Sequence, residues 1–173
     1  RYQRNAIKIK PFFVDAYYNL GNTLSDLGKS EEALDCFLEV IQINPLFPNI
    51  YSSITRFLKD SNPSRLSKSK LKTILNLLLE KNDLSHKELF KIFNLLYSHK
   101  IIKNLEKLDS HQTEIFLRDK ILINALKKII FKDIKLEKIL TKTRKNFCVR
   151  IADKIKQISS SQLEFIIALG EQC

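Results

Sequence analysis

The 173-residue chain predicts an all-α fold. Apolar residues recur every three or four positions through nearly all of it, the spacing of one helix face, and strict two-residue alternation is absent. Only 3 Gly and 4 Pro occur, and the 110 residues after Pro63 contain a single glycine, Gly170. A proline-free, glycine-poor stretch rich in Leu, Ile and Lys continues helix after helix, because nothing in it interrupts the backbone hydrogen-bond ladder. No run of about 18 uncharged apolar residues exists, so no transmembrane helix is expected.

The chain is organised around residues 14–47. One apolar face runs through Val14, Tyr17, Leu20 and Leu24, a second through Ala33, Leu34, Phe37, Val40 and Ile41. Gly28 between them suits a turn or a helix end. Ser30 followed by Glu31 and Glu32 suits the start of the second helix, where carboxylates face the positive end of the helix dipole. Pro45 ends it, since proline has no amide hydrogen to continue the ladder.

These positions resemble the tetratricopeptide repeat (TPR), a helix–turn–helix unit about 34 residues long. With Val14 as the first position, Tyr17 takes the family's aromatic place and Leu20-Gly21 its Leu-Gly pair. Gly28 falls at the turn, Ala33 at the small residue of the second helix, Phe37 at its aromatic and Pro45 at the closing proline. Gly21 and Ala33 are small where two helices cross closely, and Tyr17, Leu24 and Phe37 fill the space around the crossing. Val40 stands where the family has alanine and Leu24 where it has an aromatic, so a looser contact is expected at Val40. Pro11 precedes Pro45 by the same 34 residues, and Ala6, Ile7 and Ile9 suit the last turns of a preceding repeat, giving 1–12 as its end and 13–47 as the intact unit. The missing first half of that repeat, and the absence of any methionine, lead to the expectation of a fragment cut from a repeat array.

Residues 48–63 read as a degenerate repeat that caps the array. Tyr51 and Leu58 keep their places, while Thr55 replaces the glycine and Ser67 the small residue; Ser61, Asn62, Pro63 and Ser64 make a break. Residues 64–173 read as an irregular helical bundle. Leu71, Ile74, Leu75, Leu78 and Leu79 form one face, closed by Asn82-Asp83. Ser85 with Glu88 is a capping-box pattern opening a helix that carries Leu89, Phe90, Ile92, Phe93, Leu95 and Leu96. A weaker segment spans 101–108. One long helix is expected over about 112–131, another over about 134–155, and a last one opened by Ser161 with Glu164. In the last helix, five successive apolar residues from Phe165 to Leu169 predict burial on every side, hence a natural chain that continues past Cys173 into a larger, catalytic domain. Phe116-Leu117-Arg118-Asp119 and Leu163 to Cys173 loosely resemble the helical linker of bacterial TPR-methyltransferase chains. That resemblance brings no catalytic residue with it, and the glycine-rich loop of an S-adenosylmethionine-binding domain is absent from these residues.

No constellation in the sequence points to catalysis, metal or cofactor, so this segment is expected not to be an enzyme. His86, His99 and His111 are far apart in sequence, and two of them flank helix ends, where histidine is ordinary surface. Cys36 and Cys148 suit buried filler on helix faces. With Cys173 they make an odd, widely spaced set without metal or disulfide pattern, which favours a reducing, cytoplasmic setting. Glu31 and Glu32 are adjacent on a helix and point apart, so they do not form a carboxylate pair.

The charge of +11 is uneven: residues 1–47 carry five basic against six acidic side chains, residues 48–173 carry 25 against 13. A basic helical region raises a nucleic-acid partner. Against it, 23 of the 30 basic residues are Lys, whereas base and phosphate recognition favour Arg. The TPR resemblance implies a protein or peptide partner held on the concave face that first helices line. Here that face comprises Asp15, Tyr18, Asn19, Asn22, Ser25 and Asp26, and amides such as Asn19 and Asn22 can donate and accept to an extended peptide at once. A protein-interaction module is therefore the leading expectation, a non-catalytic part of a methyltransferase the second, and a basic nucleic-acid-binding helical domain the third.

Overall fold

The computed structural model describes residues 2–105, 111–152 and 158–171, with Arg150 by its backbone only. All regular structure among them is helical: α1 (Tyr2–Ile9), α2 (Val14–Asp26), α3 (Ser30–Ile43), α4 (Ile50–Asp60), α5 (Lys68–Glu80), α6 (Phe90–Leu105), α7 (His111–Leu117), α8 (Lys120–Lys128), α9 (Ile134–Ala152) and α10 (Ser160–Gly170). Short 3-10 turns at Pro63–Arg65 and His86–Leu89 precede α5 and α6. No described helix is long and apolar enough to cross a membrane. The chain forms two compact units, residues 1–71 and 72–173.

In the first unit α2 and α3 form the central antiparallel pair. Gly28 adopts φ +71°, where L side chains are strained. The amides of Gly28 and Lys29 then reach back to the carbonyls of Ser25 and Leu24, both at 2.9 Å, which closes α2 in a Schellman motif. Helix α3 begins without a side-chain cap: Ser30 is its first helical residue, and Lys29 ahead of it makes no capping bond. Ser30 opens the helix and Glu31 and Glu32 lie in its first turn, as their sequence order suggests. At the crossing, a Cβ on Gly21 would lie 2.8 Å from Phe37 Cε1, so only glycine fits. Ala33, Leu34, Phe37 and Val40 are buried, and Phe37 meets Phe57 of α4 edge-on at 5.6 Å. Val40 is fully buried, so its extra methyl groups lie within the core. Helix α4, which spans the residues read from the sequence as a degenerate first helix, buries Ile50, Ile54, Phe57 and Leu58. Ile9 of α1 is 86% exposed, whereas Ala6 and Ile7 are partly covered.

The second unit is built on an aromatic cluster. Phe93 stacks on Tyr97 at 5.0 Å and meets Phe131 edge-on at 5.3 Å, and Phe90 approaches Phe131 at 5.8 Å. Several expected boundaries are corrected here. Ser85 makes no capping bond, and the chain passes through a 3-10 turn before α6. Helix α6 runs to Leu105 and absorbs the start of the weak 101–108 segment, whose last residues lie outside the described ones. The single helix expected over 112–131 is two, because Asp119 Oδ1 accepts from the amides of Ile121 and Leu122 and starts α8 afresh. The cap of α10 is Ser159 with Gln162, a complete capping box, two residues before the expected Ser161. Ser161 is buried instead, its hydroxyl donating to Glu114 and accepting from Arg118. Nor is α10 buried all round: Phe165, Ala168 and Leu169 are buried, while Leu163 and Ile167 are half exposed. Residues 153–155, the expected end of α9, lie outside the described ones.

Candidate functional site

Helix α2 has one committed side and one open side. Ala16, Gly21 and Leu24 are buried. Of the six residues expected on the open face, Asp15, Asn19 and Asp26 are exposed and Tyr18, Asn22 and Ser25 half-buried. Tyr18 is engaged within the protein: its hydroxyl lies 2.9 Å from Ser53 Oγ of α4, and its ring lies 5.0 Å from Phe47. It sets α4 beside α2. The side-chain amides of Asn19 and Asn22 and the carboxylates of Asp15 and Asp26 have no hydrogen-bond or ionic partner among the described residues. These groups are held on a rigid helix with their hydrogen-bonding capacity unspent.

Next to this face lies an open cleft of about 490 Å³. Ser25 reaches it from α2, Glu31 and Glu32 from the start of α3, Phe57 and Asp60 from α4, and Arg65 from the 3-10 turn. The two glutamates point apart, as their adjacency requires. Glu31 accepts from the Ser67 amide at 3.0 Å and from Lys70 Nζ at 2.7 Å. Glu32 takes Arg4 at 2.8 Å and Lys29 at 3.4 Å. The Lys70 ammonium holds the Glu31 carboxyl below its ordinary 4.5; partial burial opposes this and the Ser67 amide adds to it. Lys70 is in turn raised by Asp35 first and Glu31 second. Both glutamates are thus spent on structure, and Asp60 and Arg65 remain as the cleft's unpaired charges among the described residues.

Asp60 was legible in principle, since it lies one 34-residue period after Asp26. Arg65 sits in an irregular turn that no pattern announces. Among the described residues no three His, Cys, Asp or Glu side chains converge as metal ligands. His99 and His111 are exposed, whereas His86 is half-buried with Nε2 out of reach of any partner among the described residues. Cys36 is buried, and burial first, then Asp35, pushes its thiol up to about 11. Cys148 corrects the expectation of buried filler: it is exposed on α9.

Compared with known families, residues 14–47 match the tetratricopeptide repeat. The match covers α2, its turn and α3, so this pair is a TPR unit both in its sequence and in its helix–turn–helix geometry. No curated protein and no solved structure matches the chain.

Proposed function

We propose that the first unit is a peptide-binding module whose recognition groups are Asp15, Asn19, Asn22, Ser25 and Asp26 of α2, with Asp60 and Arg65 beside them. The observation that carries this reading is the unspent side-chain amides of Asn19 and Asn22 on a helix whose other side is buried. A peptide backbone presents alternating donors and acceptors, and a primary amide can satisfy both. Repeats of this type generally serve protein–protein association. Tyr18 has a supporting role, fixing α4 against α2 so that groups from both helices keep one geometry. The reading is one of binding without catalysis.

A peptide-display library selected against the chain tests it. Selected peptides are expected to lose at least tenfold in affinity with Asn19→Ala/Asn22→Ala and to be unaffected by Glu39→Ala on the exposed side of α3. Equal binding to all three proteins would place recognition elsewhere.

A further inference from the structure

Helix α9 carries six Lys or Arg and one Glu in 19 residues. Its core face is Leu136, Leu140, Thr143 and Phe147, all buried. On the opposite side Lys135, Lys138, Lys142 and Lys145 recur at intervals of three, four and three residues, and all are exposed. At a rise of about 1.5 Å per residue they form a line roughly 15 Å long. An ordinary solvated helix face sets an acid three or four residues from each lysine, because such pairs attract and like charges there repel. None of these four has an acid at either distance; each has at least one lysine there instead. No carboxylate pairs with any of the four among the described residues. Asp133, the nearest acid before α9, is occupied with the amides of Lys135 and Leu136 at the helix start. The ridge is therefore self-repelling as it stands, and a line of anions is what would relieve it.

We propose that the Lys135–Lys138–Lys142–Lys145 ridge docks the phosphate backbone of duplex nucleic acid without reading its sequence. Phosphate contact by lysine is sufficient for such binding and releases condensed counterions. The ridge has no arginine to grip base edges and no aromatic on which unpaired bases could stack, which points to the duplex backbone rather than to bases. A membrane surface fits less well. An interfacial helix needs its apolar face free to enter the lipid, and that face of α9 is buried. The ridge belongs to the second unit and the peptide face of α2 to the first, and each proposal stands or falls independently of the other.

The test is fluorescence anisotropy of a 20-base-pair duplex, as DNA and as RNA, titrated with the 173-residue chain across a salt series. About four displaced counterions predict a log–log salt slope near −3 to −4 on DNA. Changing all four lysines to Gln should remove most of that slope and weaken binding at least tenfold at low salt, with the melting temperature unchanged or raised. A control with equal loss of charge, Lys87, Lys103, Lys120 and Lys132 to Gln, should retain at least half the affinity. The DNA and RNA arms identify the duplex form preferred. Equal weakening by the control, no binding to either duplex, or ridge-dependent binding to anionic phosphatidylserine vesicles alone would overturn the proposal.

Discussion

Gly21 and Phe37 approach so closely that a methyl group on Gly21 would lie 2.8 Å from Phe37 Cε1 and 3.2 Å from Cys36 Cβ. Gly21→Leu is expected to lower stability by about 1–3 kcal/mol through overpacking. Gly21→Ala should also destabilise, although alanine elsewhere in a helix is worth about 1 kcal/mol more than glycine. Gly28→Ala has open space but a strained φ of +71°, costing about 1 kcal/mol. Gly170→Ala meets neither obstacle and should be neutral or stabilising. Thermal melts of the four variants check the order; a stabilised Gly21→Ala would break the account of the crossing.

Tyr97 is buried, and its hydroxyl donates to Asp119 Oδ2 at 2.8 Å while Oδ1 caps α8. Burial first, then the Asp119 carboxylate, pushes the phenol's pKa well above its ordinary value. Tyr97→Phe keeps the stack on Phe93 and should cost about 1.5 kcal/mol, the low end for a hydrogen bond to a charged group, because water still reaches Asp119. Asp119→Ala should cost more, about 2–4 kcal/mol, since it removes a cap and strands a buried hydroxyl. The double variant should cost less than the sum. Additive losses in chemical denaturation would show that the two residues act separately.

The Glu31 carboxyl titrates below its ordinary 4.5, so its contribution is present above that pH and is lost as the pH falls through the lowered value. Its side chain is 41% exposed, which screens the pair and limits the effect to about 0.5 kcal/mol. The melting temperature of Glu31→Gln should sit slightly below that of the unchanged chain from pH 7 to 5, and the gap should close on further acidification. A gap that widens below pH 4 would reverse the assigned sign.

Cys148 is exposed and Cys36 is buried with its thiol raised to about 11, so iodoacetamide at pH 8 should modify Cys148 at least tenfold faster. Peptide mapping by mass spectrometry resolves the two. Comparable rates would mean that the α2–α3 pair opens readily.

The TPR pair was legible because close helix crossings demand particular residues at fixed offsets, and Gly21, Gly28, Ala33 and Phe37 each answer a local steric requirement. The second unit was legible as helix but not in its divisions. Apolar periodicity continues straight through Asp119, and only the choice of that carboxylate to cap α8 breaks the run. Ser159 and Ser161 are equally good caps by pattern. The bonds of Ser161 to Glu114 and Arg118, more than forty residues away, decide between them. The open face of α2 was found from the repeat register, whereas the spending of Tyr18 on Ser53 depends on a neighbouring helix that keeps only traces of the repeat.

That engagement of Tyr18 bears on kinetics as well as on shape. An aromatic left free on a recognition face must give up rotamer freedom when a ligand arrives, at about 0.5–1.5 kcal/mol for each immobilised side chain. Tyr18 has already lost that freedom to Ser53 and Phe47 during folding. A peptide arriving on α2 would meet a wall that does not rearrange, so its association should approach the rate set by diffusion and orientation. Differences in affinity among such peptides would then appear as differences in how long each one stays.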